Sequence, residues 1–256
     1  MNGSELASLS TTGDLIRLTL RRAPLNFLSQ EMLQRVLELL ESLGDSPSGR
    51  ALVLDSACAA FSAGLEMAEQ TRDAVFLLLD QYHGVVRTLS TFPRPTIALV
   101  RGVALGAGNE LAACCDFVLA SHLATFGQPE IKVGTMPSLA PLLLPQRIGV
   151  QRTMEMILTG NPVNAMEAER MGLVYRAVPD DGLEAALKEL LSGFRGASMA
   201  VMELALRSTR GVRLRELENN LRQAQSLYLN DLMDLDDPTE GINAFLEKRP
   251  PRWKHH

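Results

Sequence analysis

The sequence predicts a mixed α/β chain whose second half is almost wholly helical. Up to about Met136, short runs rich in Val, Ile and Leu alternate with stretches of helical period. Beyond that point strand signals nearly vanish, and helical stretches follow one another between Gly and Pro. The 256 residues are 46% hydrophobic and 21% charged, the composition of a soluble globular chain long enough to bury a full core.

Each element has its own reason. "LIRLTL" (Leu15–Leu20) alternates as a half-buried strand does. "RALVLDS" (Arg50–Ser56), "PTIALVRG" (Pro95–Gly102) and "DFVLAS" (Asp116–Ser121) are short apolar runs suited to a sheet interior. A helix is predicted over Ser29–Leu43, capped by Ser29 and presenting Met32, Val36, Leu39, Leu40 and Leu43 on one face. A second covers Asp73–Leu89. In the later half, helices are predicted at Gln151–Leu158, Ala165–Met171, Leu183–Phe194, Met199–Ser208, Leu214–Leu232 and Thr239–Lys248. Gly160, Pro162, Gly172, Pro179, Gly211 and Pro238 punctuate them.

Charge and rare residues narrow the function classes. A net charge of −5 without any Lys/Arg block disfavours a nucleic-acid partner. No charged-then-apolar leader pattern and no apolar run of membrane-spanning length is present, so a soluble cytoplasmic protein is expected. Cys58, Cys114 and Cys115 cannot all pair internally, which fits a reducing compartment. His83, His122, His255 and His256 make no ligand spacing with each other or with the cysteines, so no metal site is expected; His255 and His256 are given no role.

Three stretches carry the chemistry. In "VRGVALGAGNELAACCDFVLAS" (Val100–Ser121), Glu110 stands among small and apolar residues directly after Gly106, Ala107 and Gly108. This reads as a strand, a turn of tiny residues, and a helix whose first-turn N–H groups face any ligand oxygen that approaches. "AFSAGLEMAE" (Ala60–Glu69) brings Ser62, Ala63 and Gly64 to another strand end, and "TFGQPEIKVGTMP" (Thr125–Pro137) carries Glu130. Convergence of the three would face two amides and two carboxylates onto one pocket, suited to a carbonyl oxyanion with proton transfer beside it. Plainer alternatives stand beside this one: Glu110 capping its helix or pairing with Arg101, and Glu130 pairing with Lys132. A dinucleotide site is rejected, because "GAGNEL" lacks the third glycine and the acidic residue about 20 positions on.

The same stretches closely resemble the crotonase, or enoyl-CoA hydratase/isomerase, superfamily. Further matches are "RIG" (Arg147–Gly149), "ILTGNPVNAMEAERMGLV" (Ile157–Val174) and "EGINAFLEKRPP" (Glu240–Pro251), in family order along nearly the whole chain. The resemblance implies a spiral of ββα units over residues 1–195 and a C-terminal helical trimerisation region over 196–256, assembling as a homotrimer or hexamer. It implies that the N–H groups of Leu65 and Ala107 polarise an acyl-CoA thioester oxygen. Glu110 and Glu130 would hold a water, the former acting on it and the latter on the α-carbon. Ala63, Gly64, Gly106, Gly108 and Pro137 would contact substrate, and Phe245 and Lys248 would reach the adenine and phosphate end of CoA. For these last two, a helix-face core residue and a solvated helix end are the plain alternatives. No cofactor is implied beyond the CoA of the substrate.

Some residues depart from the family pattern. "MPSLAPLLLPQRIG" (Met136–Gly149) replaces the Gly-Gly segment of many hydratases, "RRAPLN" (Arg21–Asn26) lacks the family lysine, and Glu66 stands where Asp is frequent. The altered loop and the ending "FLEKRPPRW" resemble hydratases of cyclohexa-1,5-diene-1-carboxyl-CoA from aromatic degradation. Alternatives are a double-bond isomerase or thioester decarboxylase of the same superfamily, which often keep one glutamate, or a non-catalytic homologue.

Overall fold

A computed structural model describes residues 6–45 and 47–256. β1 (Ala7–Thr12) pairs antiparallel with β2 (Leu15–Leu20). α1 (Gln30–Glu41) leads to β3 (Ala51–Ser56), and α2 (Val75–Thr91) leads to β4 (Thr96–Val100). β5 (Val103–Leu105) opens a second sheet and runs into α3 (Ala107–Cys114). β6 (Phe117–Ser121) and β7 (Thr125–Gly127) repeat the step, one strand in each sheet. Then come α4 (Ala140–Leu143), α5 (Pro145–Thr159), β8 (Val163–Asn164), α6 (Ala165–Met171), β9 (Arg176–Val178) and α7 (Leu183–Ser192). α8 (Met199–Leu214), α9 (Leu217–Ser226) and α10 (Asp236–Leu246) complete the chain.

The larger sheet has the order β1-β2-β3-β4-β6-β9, parallel from β2 onward, and the smaller has the order β5-β7-β8. Its central strands are buried on both faces, which is why they read as unbroken apolar runs. Leu52, Leu54, Ala98 and Val100 face the main core with α1, α2 and α3. The alternate residues Ala51, Val53, Ile97 and Leu99 pack on Leu183 and Leu187 of α7. Ser29 caps α1 as expected, its Oγ accepting from Met32 N at 3.3 Å.

Differences from the sequence reading have local causes. β5, β7, β8 and β9 are two or three residues long, too short for a periodic signal, and the last two interrupt the half read as helical. The helix expected over Leu214–Leu232 breaks before Leu217 and ends in a π-helical turn, Leu227–Leu232. That widened turn carries Tyr228, which is 1% exposed and packs with Val75 and Leu79 of α2.

Candidate functional site

Two chain crossings place the first wall. Ser62, just after β3, bridges Ala104 of β5, and Leu65 bridges Leu28. Ser62 N donates to Val103 O at 3.1 Å and Leu105 N to Ser62 O at 2.9 Å. The backbone of Ala63–Leu65 therefore lies against the turn that opens α3. Gly106 caps that helix at φ 53°, ψ −128°, a conformation that disfavours any L side chain. Ala107, the first helical residue, has no intrahelical acceptor for its N–H. Among the described residues, no protein acceptor takes the N–H of either Leu65 or Ala107.

Glu110 lies in the first turn of α3 and is 1% exposed. A carboxylate so placed needs partners, and it has three. Tyr82 of α2 donates its hydroxyl to Oε2 at 2.6 Å, and the N–H groups of Leu139 and Ala140 donate to Oε1 at 2.8 and 2.6 Å. The carboxylate neither caps its own helix nor meets Arg101, whose guanidinium lies 3.8 Å from both Asp55 and Asp180. Burial raises the Glu110 carboxyl above its ordinary range, against the pull of those three donors.

Glu130 follows Pro129 in a 3-10 turn, Pro129–Val133. It does not pair with Lys132, whose Nζ donates to Asn161 Oδ1 at 3.1 Å. With its amide oriented to donate, Gln128 reaches the two Glu130 oxygens at 3.1 and 3.2 Å while accepting from Asn109 Nδ2 at 3.2 Å. Desolvation first, and then the nearby charge of Glu110, push the Glu130 carboxyl up to about 8. Of the two carboxyls, Glu130 is the one with fewer hydrogen-bond donors.

Both glutamates line one cavity of about 350 Å³. Of the residues singled out in the sequence, Ala63, Gly64, Leu65, Gly106, Ala107, Glu110, Glu130 and Phe245 stand on its wall. Gly108, Pro137 and Lys248 do not. Gly108 is buried against the backbone of Ser62, where an added Cβ would sit 2.4 Å from Ser62 O. Pro137 is buried behind the wall that its neighbours Met136 and Ser138 form. Lys248 lies past the end of α10, exposed and at φ 55°. Phe245 is 46% exposed on the wall, which sets aside its reading as a core residue.

Sequence reasoning missed the groups that complete the site. Tyr228 donates to Gln70 Oε1 at 3.0 Å, and both line the cavity with Thr135. Burial, and then the charges of Glu130 and Glu110, raise the Tyr228 hydroxyl above its ordinary range, so it stays a donor. His83 Nε2 and Ser138 Oγ are 2.7 Å apart. One signal for Tyr82 was present: it falls in the apolar stripe Val75, Leu78, Leu79, Tyr82, Val86, where a buried hydroxyl must find an acceptor. Among the described residues there is no cluster of His, Cys, Asp and Glu that could hold a metal ion, and Cys58, Cys114 and Cys115 form no disulfide. No described helix is long and apolar enough to cross a membrane.

This geometry has known counterparts. The sequence model of the family described as enoyl-CoA hydratase/isomerase matches residues 10–256. A cyclohexa-1,5-dienecarbonyl-CoA hydratase of Thauera aromatica is 32% identical over 96% of this chain and 95% of that protein. Among solved structures, an enoyl-CoA hydratase of Mycobacterium avium subsp. paratuberculosis superposes with a TM-score of 0.84 at 26% identity, covering 97% of this chain and 98% of the other. An enoyl-CoA hydratase/isomerase of Xanthobacter autotrophicus gives a TM-score of 0.84 at 27% identity, covering 94% and 93%. The two-sheet arrangement with its C-terminal helices is thus the crotonase fold, and the chain belongs to the enoyl-CoA hydratase/isomerase family.

Proposed function

We propose that this protein adds water across the activated double bond of an enoyl-CoA thioester. One observation carries the reading: two glutamates, one of them held by three donors, and two uncommitted main-chain donors border the same cavity. In this reading the Leu65 and Ala107 N–H groups donate to the thioester oxygen as negative charge grows on it, each worth about 3–4 kcal/mol of barrier. Glu110, held as the carboxylate by three donors, takes a proton from water as the water oxygen bonds to the β-carbon. The electron pair of the double bond moves into an enolate, and protonated Glu130 delivers its proton to the α-carbon. The product gains one hydroxyl and one hydrogen; transfer of the captured proton from Glu110 back to Glu130 restores the pair.

The substrate we favour is a cyclic dienoyl-CoA, cyclohexa-1,5-diene-1-carboxyl-CoA. The similarity to the Thauera protein supports it, together with the Met136–Ser138 loop, which departs from the usual Gly-Gly segment where it borders the cavity. Phe245 at the cavity wall is assigned to the CoA moiety. No cofactor beyond that CoA is part of this scheme, and assembly as a homotrimer or hexamer is part of it. Absorbance assays with crotonyl-CoA and the cyclic dienoyl-CoA side by side test the reading. Hydration of the cyclic ester with the higher kcat/KM is expected. Preference for crotonyl-CoA removes the cyclic substrate, and hydration of neither removes the hydratase.

A further inference from the structure

Helix α2 touches the site through two successive residues, and the family resemblance assigned neither a role. Tyr82 is fully buried and donates to Glu110 Oε2 at 2.6 Å. Its hydroxyl also lies 3.3 Å from the carbonyl oxygen of Ala107. His83, 2% exposed, meets Ser138 Oγ at 2.7 Å. Ser138 immediately precedes the two amides, Leu139 and Ala140, that hold the other oxygen of the same carboxylate. One turn of α2 therefore grips Glu110 from both sides: through the phenol on Oε2, and through the imidazole, by way of a serine, on the loop that serves Oε1.

We infer that Tyr82 and His83 are positioning residues, which fix Glu110 in orientation and keep it the proton acceptor of the pair. The inference rests on the hydratase reading. Every donor they supply or support favours the anionic form of Glu110. The titratable groups around Glu110 leave this task to them. Glu130 on the 3-10 turn opposes a second negative charge. Tyr228 on the π turn is spent on Gln70. Cys114 on the same helix faces Ser90 at 3.2 Å. His83 is neutral, pushed down to about 4 by burial and then by Arg87, so it acts as a hydrogen-bonding strut and not as a charge.

Removing the Tyr82 hydroxyl takes a donor from a charged acceptor, a change worth about 10- to 100-fold in an equilibrium. Tyr82→Phe should lower kcat about 10- to 100-fold with KM within about 3-fold, and should move the low-pH limb of kcat/KM upward by about one pH unit. The phenyl ring keeps the packing, so a purely structural role moves neither the limb nor the KM-against-kcat split. His83→Ala should lower kcat in the same way, and His83→Gln, which restores a polar atom toward Ser138, should recover most of it. Carbon-13 NMR of protein labelled at the glutamate carboxyl carbon, with Glu110→Gln assigning the resonance, reads Glu110 without turnover; its titration should rise in Tyr82→Phe. An unmoved limb and an unmoved titration in Tyr82→Phe, or wild-type kcat in His83→Ala, overturn the inference. Full turnover in Glu110→Gln would instead overturn the functional reading, and the NMR titration would still judge the Tyr82 contact.

Discussion

The side chain of Glu130 occupies the space that a methyl group on Gly106 would need: a Cβ built there lies 2.6 Å from Glu130 Oε1. The glycine that opens α3 therefore serves two ends, allowing the backbone its positive φ of 53° and allowing the acid its place. Gly106→Ala is expected to cost both at once. Turnover should fall by at least about 100-fold, since displacement of an acid by about 1 Å is enough for such a loss, and stability should drop by about 1–3 kcal/mol. Urea unfolding and steady-state kinetics measure the two separately; unchanged turnover would show that Glu130 has room to shift without consequence.

The carboxylates themselves make the most direct test. Glu110→Gln and Glu130→Gln each should lower kcat by about two orders of magnitude or more, while calorimetry should find CoA-ester binding within about 3-fold of wild type. Near-wild-type kcat in either variant would mean that its carboxyl does not transfer the proton assigned to it.

The raised Glu130 carboxyl gives a pH dependence with a definite sign. As proton donor to the α-carbon it must be protonated, so kcat/KM should decline as pH rises through about 8. A profile flat to well above pH 9 would contradict this.

The same group contributes to stability in the opposite sense from a salt-bridged acid. Its folded-state pKa of about 8 lies above the ordinary 4.5, so the native state retains a proton that the unfolded chain releases. Wild type should lose stability progressively between those two values. Glu130→Gln, which cannot ionise, should match wild type near pH 4 and exceed it by about 4 kcal/mol at pH 8. Thermal unfolding across that range measures the difference, and a pH-independent gap would point to packing instead.

Arg210 of α8 anchors the C-terminal helices. It is 6% exposed and donates to Asp116 Oδ1 at 2.8 Å, to Phe92 O at 2.6 Å and to Arg94 O at 3.0 Å. Burial alone would raise the Asp116 carboxyl; the Arg210 hydrogen bonds and charge outweigh it and hold it below the usual range. Arg210→Ala should destabilise by about 3–5 kcal/mol in urea unfolding above pH 5, because it strands a buried carboxylate. The gap should narrow as pH falls through the ordinary carboxylate range. A loss under about 1 kcal/mol would mean that α8 is held by other contacts.

Legibility in the sequence followed the range of the interactions. The central strands and the Ser29-capped helix are set by neighbouring residues, and their patterns placed them within a residue or two. Glu110 was conspicuous because it breaks an apolar pattern, and the small residues before it mark a backbone that something must approach. Its partners were not conspicuous. Tyr82 lies 28 positions away and Leu139 29 positions away, in elements whose own periodicity says nothing of a carboxylate. Leu139 and Ala140 act through main-chain N–H groups, which no side-chain identity announces. Pro137 and Lys248 came from the family resemblance, and neither lines the cavity in this chain.

The last helix has a reach that its position at the end of the chain conceals. α10 lies so close to the turn bearing Glu130 that a Cβ on Gly241 would stand 2.1 Å from Val133 O, while Phe245 and Tyr228 both line the cavity. Removing residues 196–256 would thus take Tyr228 and Phe245 out of the wall of the cavity that holds Glu130. Exchanging C-terminal segments between relatives would, by the same token, retune the chemistry of the site.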